Sequence, residues 1–160
     1  MNLTVFIIGG DSGIGLLIAR HFVRAGAQRI GLIGRDPDAG VAAAKSVFEL
    51  ASGIWSLSAA GDLSSDSEAS RMISELSGSL GDADILVDCL GPDGTIVSDL
   101  VLQGMREFDS GVIIDVVAQS SAGDDTAGAS KSAGVHRHFV VHDPQHPDHT
   151  AAAVVAAASP

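Results

Sequence analysis

The chain has 160 residues, 9 Lys+Arg against 20 Asp+Glu, a net charge of −11 and a hydrophobic share of 46%. That length and hydrophobicity give one domain able to bury its own core, and they exclude a disordered chain. The acidic balance excludes a general binder of nucleic acid or anionic membrane, and a single Cys with no Tyr excludes an internal disulfide and any chemistry that needs a phenol.

Residues 3–8 carry Leu3, Val5, Phe6, Ile7 and Ile8 with almost no polar alternation. That is the pattern of a strand covered on both faces. No basic stretch precedes it, so it does not read as a secretory leader. No apolar run reaches the roughly 20 residues a bilayer crossing needs. Gly13 to Ala25 predicts a helix with Ile14, Leu17, Ile18 and Phe22 on one face. Residues 29–33 predict a second strand. Asp36-Pro37 then predicts a helix start, with Asp36 as the cap and Val41, Ala44 and Val47 inward. Residues 54–58 predict a third strand. Ser65 and Glu68 have capping-box spacing ahead of a stripe of Ala69, Met72, Ile73, Leu76 and Leu80. Residues 84–89 and 111–117 predict strands four and five, with a short helix near 98–108 between them. Residues 138–142 predict a sixth strand before an alanine-rich helix. Strands alternating with helices predict a doubly wound parallel sheet over 1–160, in a single three-layer domain.

Such a sheet binds its ligand at the carboxyl ends of the strands. Gly9-Gly10-Asp11-Ser12-Gly13-Ile14-Gly15 sits there, after strand one and opening a helix. Gly9 suits a tight turn, Gly13 a close approach to pyrophosphate, and Gly15 close packing of helix on strand. This spacing predicts a Rossmann-type nucleotide site, with Ser12 and Ile14 in the loop and the helix N–H groups facing phosphate. An acidic residue ending strand two would select NAD, and a basic one NADP. Gly34 stands in that place and Arg35 follows, so NADP is expected over NAD.

The loop Ile8–Gly15 resembles the Thr-Gly-x-x-x-Gly-x-Gly loop of the short-chain dehydrogenase/reductase family, with Ile8 in place of Thr. Gly61-Asp62-Leu63 resembles the family's adenine-contacting Asp pair. Asp88-Cys89-Leu90-Gly91 is similar to its Asn-Asn-Ala-Gly, and Gly111 to Val116 to its fifth strand. Ala129-Ser130-Lys131 resembles the end of its Tyr-x-x-x-Lys motif. The resemblance implies an oxidoreductase fold and cofactor contacts at Asp62, Leu63, Gly91 and Lys131. It also implies a small carbonyl, alcohol or enone substrate.

The catalytic pattern departs from the family's. Ala127 stands where the Tyr belongs, and Ala118 or Val117 where the Ser belongs. The relay Asn is missing, since the one Asn is Asn2. Gly91 to Gly111 is short, which predicts the loss of most of one crossover helix. Candidate substitutes are Ser120 and Ser121, to hold a carbonyl oxygen beside Lys131. Asp124 and Asp125 read as a solvated turn. His136, His138 and His142 fall on one side of a strand, but Pro144 and Pro147 argue for an exposed turn rather than a metal site. Cys89 reads as a small buried hydrophobe. The expectations are a cytoplasmic protein and an atypical oxidoreductase. The alternatives are a non-redox isomerase, cyclase or dehydratase, or a partner subunit. The shortened region predicts a homo-oligomer or a subunit covering it.

Overall fold

The structure is a computed structural model that describes residues 3–118, 129–132 and 134–159. Its strands are β1 (Thr4–Ile8), β2 (Arg29–Gly34), β3 (Trp55–Ala60), β4 (Ile85–Asp88), β5 (Gly111–Ala118), β6 (Ala129–Ser132) and β7 (Val135–His142). Its helices are α1 (Gly13–Arg24), α2 (Pro37–Phe48), α3 (Asp66–Leu80), α4 (Thr95–Glu107) and α5 (Pro147–Ala158). The strands form one sheet in the order β3-β2-β1-β4-β5-β7-β6. Every pairing is parallel except β6 with β7.

Strand alternation divides the core into two layers. Val5 and Ile7 point to one face, where they meet Ile18, Ala19 and Phe22 of α1, Ala43, Ala44 and Val47 of α2, and Ala151 and Val154 of α5. Phe6 and Ile8 point to the other, against Met72 and Leu76 of α3 and Val97, Val101 and Met105 of α4. Both faces of β1 are therefore buried, which explains its unbroken apolar run. Fully burying a side chain such as Ile7 or Phe6 contributes about 1.5–3 kcal/mol.

The helix starts follow local chemistry. The Asp36 side chain accepts from Asp38 N–H at 2.9 Å and Ala39 N–H at 3.2 Å, and Pro37 opens α2. Ser65 caps α3 by accepting from Glu68 N–H at 3.4 Å. The helix dipole is thereby matched at both sites by an oxygen acceptor.

Three expectations are corrected. The crossover between β4 and β5 is not lost: α4 has 13 residues and follows a short 3-10 turn over Gly91–Gly94. The last parallel strand begins at Val135 rather than at 138. Residues 129–132 form the edge strand β6, antiparallel to β7, an element absent from the expected all-parallel sheet. Pairing with β7 decides this; local composition does not reveal it. The uncovered surface lies elsewhere. On the α4 side of β7, Arg137, Phe139 and Val141 follow Val135, and Val141 is 39% exposed.

The carboxyl end of β7 is fastened to α5 through one hydroxyl. Thr150 is buried; its Oγ1 accepts from Asp143 N–H at 3.0 Å and lies 3.3 Å from His142 Nδ1. Across the helix pair, His21 Nε2 lies 3.0 Å from Asp148 Oδ1. Thr150→Val keeps the volume and removes the acceptor. It is expected to cost about 1–3 kcal/mol in urea unfolding, because Asp143 N–H loses its partner. The mutant should keep the wild-type far-ultraviolet circular dichroism.

Candidate functional site

The site is built where β1 ends and α1 begins. Gly9 N–H donates to Ile33 O at 2.7 Å, which ties the turn to β2. Cys89 N–H donates to Ile8 O at 3.0 Å, which ties it to β4. Gly15 lies against the backbone of Gly9, where any Cβ would collide with the Gly9 carbonyl. Gly13 has φ +54°, and the space beside its Cα is open. Ser12 caps α1 without a side-chain hydrogen bond, and no acidic residue stands in the first turn. The helix thus presents its N-terminal N–H groups and partial positive charge to an open cradle, which is what a phosphate requires. The loop residues therefore fit a dinucleotide.

Around this cradle the strand ends place the other expected contacts. Arg35 follows β2, and its Nη2 lies 3.3 Å from Asp93 Oδ2 in the Gly91–Gly94 turn. Asp62 follows β3, where Gly61 N–H donates to Gly34 O at 3.1 Å. Its Oδ1 accepts from the Ser64 hydroxyl at 2.6 Å and from Ser64 N–H at 2.9 Å. These bonds, with the nearby Arg35 charge, hold the Asp62 carboxyl below the usual range. Leu63 is buried in the core. Gly91, at φ +58°, turns the chain directly after β4. Gly9, Ser12, Gly13, Ile14, Gly15, Arg35, Asp62, Leu63 and Gly91 thus gather at one end of the sheet.

Lys131 does not join them. Its backbone pairs with His136, near the amino end of β7, whereas the glycine loop lies at the carboxyl ends of the strands. Ser120, Ser121, Asp124, Asp125 and Ala127 lie outside the described residues. Ala118, in the family's Ser position, ends β5 with its side chain exposed. Among the described residues, no three His, Cys, Asp or Glu side chains are placed to hold a metal. His136 and His138 stack at 6.5 Å, and His146 lies 3.0 Å from Asp143 Oδ2.

Sequence reasoning missed an acidic group beneath the site. Asp88 and Asp115 are register partners at the ends of β4 and β5. Both carboxyls are largely buried. Arg137 grips Asp115 with two bonds, Nε to Oδ2 at 2.7 Å and Nη2 to Oδ1 at 3.1 Å. Among the described residues, no cation grips Asp88 in this way. Its Oδ1 accepts from Leu90 N–H at 2.9 Å under the Gly91–Gly94 turn. Burial pushes its pKa up to about 6, with the Asp115 charge adding to the shift, although the Leu90 bond opposes it. Burial, and then Asp88, pushes the Cys89 thiol up to about 12, so this Cys is an unreactive packing group. The available signal was an Asp in the slot of the family's first Asn.

Comparison with known proteins places this geometry in a class. The family model described as short chain dehydrogenase matches residues 3–95, more than half of the chain. The chain belongs to that family. Among solved structures it resembles L-sorbose reductase from Gluconobacter frateurii complexed with NADPH and L-sorbose. The identity is 26%, the match covers 74% of this chain and 54% of that one, and the TM-score is 0.64. It also shares its fold with actinorhodin polyketide ketoreductase with NADPH, at 21% identity over 73% of this chain and 53% of that one, TM-score 0.65. NAD+-bound xylitol dehydrogenase matches at 18% identity over 74% and 54%, TM-score 0.65. The chain spans about half the length of these structures. No curated protein sequence matches it. No helix among the described residues is long and apolar enough to cross a membrane.

The buried acid has a consequence for stability. The folded-state pKa of Asp88 lies above its unfolded value near 3.8, so the folded chain binds this proton more tightly. The contribution is therefore most favourable below about pH 4 and is lost as pH rises through about 6. Asp88→Asn keeps the acceptor for Leu90 N–H without the charge. It is expected to raise stability at pH 7.5 by about 1–3 kcal/mol. The gain over wild type should shrink toward zero at pH 4 in matched urea titrations.

Proposed function

We propose that the chain binds NADP(H) and forms the nucleotide half of an atypical oxidoreductase acting on a small carbonyl, alcohol or enone. The observation that carries this reading is the open cradle at Gly13, held by the contact of Gly15 on Gly9. The N–H groups of the loop and of the first turn of α1 bind the pyrophosphate. Arg35 takes the 2′-phosphate, for which its planar fork is suited. Asp62 and Leu63 border the adenine, as the family resemblance implies. When bound, the nicotinamide supplies a hydride or accepts one. With no Tyr in the chain, the proton comes from water, from the substrate or from a non-Tyr residue, with Ser120 and Ser121 as candidates to hold the carbonyl oxygen. A positioned acid contributes about 10²–10⁴-fold, so turnover is slow. The two NADPH-bound reductases are the nearest support for the phosphorylated cofactor. The lone Cys suits a reducing cytoplasm.

A second reading, a subunit that binds cofactor without redox turnover, draws on the half-buried Arg137 and Phe139 and the exposed Val141 on one side of β7. Another copy or a partner would cover that surface, and non-redox conversion on the same scaffold belongs to this reading.

Isothermal titration calorimetry with NADPH and NADH tests the site. Arg35→Ala is expected to weaken NADPH by about tenfold or more, the value of a lost charged bidentate contact, while leaving NADH within about twofold. Wild-type protein that takes up neither nucleotide overturns the proposal.

A further inference from the structure

The end of β2 holds a carboxylate that β2 itself does not supply. Gly34 is the residue at the position where an acid selects the unphosphorylated cofactor. The space a Cβ would take there is filled by the carboxyl group of Asp11, in the glycine loop. A side chain at 34 would have to push that carboxyl aside, so the acid at this place comes from a different strand end. Asp11 follows Gly10 and precedes the cap of α1, Ser12, so its backbone is fixed by the same turn that forms the phosphate cradle.

The adjacent Arg35 already has an acidic partner, which an incoming phosphate must exchange. Asp93 lies 3.3 Å from its guanidinium, and its charge also acts on Asp62. Asp93 and Asp62 thus both bear on this cation, and the Asp11 carboxyl lies beside the preceding residue, Gly34. A 2′-phosphate must displace Asp93 and accept a position beside Asp11, and like charges at short range disfavour that. A 2′-hydroxyl pays neither penalty and can donate to Asp11, since an ionised carboxylate only accepts.

We infer that Asp11 is a specificity-determining residue that opens this ribose subsite to NAD(H) alongside NADP(H), with Asp93 holding Arg35 back from the phosphate. The inference rests on the nucleotide-binding reading above and concerns which cofactor that site takes.

Calorimetry with NADH and NADPH on the full chain and two variants tests it. Wild-type affinities for the two are expected within about tenfold of each other. In Asp11→Asn the acceptor charge is lost at constant size. NADH is expected to bind several-fold more weakly and NADPH more tightly, so that the affinity ratio moves toward NADPH by about tenfold or more. Asp93→Asn lies on an exposed turn and keeps the fold; it is expected to tighten NADPH about three- to tenfold and leave NADH unchanged. Thermal melting confirms that each variant is folded. Nucleotides that bind with a ratio unmoved by either substitution overturn the role of Asp11 and Asp93 while leaving the binding reading intact. If Asp93→Asn alone moves the ratio, the role of Asp11 is overturned. Failure of both nucleotides to bind the wild type overturns the binding reading and the inference with it.

Discussion

The contact of Gly15 with the backbone of Gly9 governs the carboxyl end of the sheet. It lets α1 start immediately beside the end of β1, without a side chain between them. From that proximity follow the inward face of α1 on Val5 and Ile7, the opening beside Gly13, and the direction of the helix dipole. A methyl group at Gly15 would collide with the Gly9 carbonyl, pushing the helix away and disturbing the cradle together. Stability and ligand geometry thus share one backbone approach, which is why the loop tolerates glycine alone at its key positions.

Charge near that loop is arranged in two tiers. At the surface, Arg35 sits among acids and is largely exposed, so its ion pair with Asp93 is weak in water and can be exchanged. Below it, Asp115 and Arg137 form a bidentate pair shielded on the sheet face. Asp88 lies beside them, gripped by no cation among the described residues, and burial makes its ionisation costly. The outer tier is suited to recognising a ligand, whereas the inner one sets the cost of keeping β4 and β5 side by side at neutral pH. A carboxyl that takes up a proton near pH 6 under the Gly91–Gly94 turn couples the turn to pH without touching the loop.

Most of the architecture could be read from the chain because it is written in local patterns. The unbroken run at Val5 to Ile8, the 3.6-residue stripe from Ala69 to Leu80, and the Asp36-Pro37 start each depend on a few neighbouring residues. The glycine loop was legible for the same reason. What escaped depends on register between distant strands. Nothing near Lys131 signals that its neighbours pair with Val135–His138, and the short Ala-Ser-Lys match suggested a place beside the cofactor instead. The meeting of Asp11 with Gly34, of Arg35 with Asp93, and of Asp115 with Arg137 each requires the sheet order before it can be seen. The short segment between β4 and β5 suggested a lost helix because a shortened segment was equated with a lost element. In fact thirteen residues sufficed for α4.

The two margins of the sheet behave differently as colloid surfaces. One margin ends in β6, four residues long, and short edge strands offer little template for another chain. The other is β3, six residues without a charge or a proline, with Trp55 66% and Leu57 38% exposed. Such a margin invites strand addition between copies. A net charge of −11 opposes that addition at long range. That repulsion is screened within about 10 Å at 0.1 M salt. Association through β3 is therefore expected to grow as ionic strength rises.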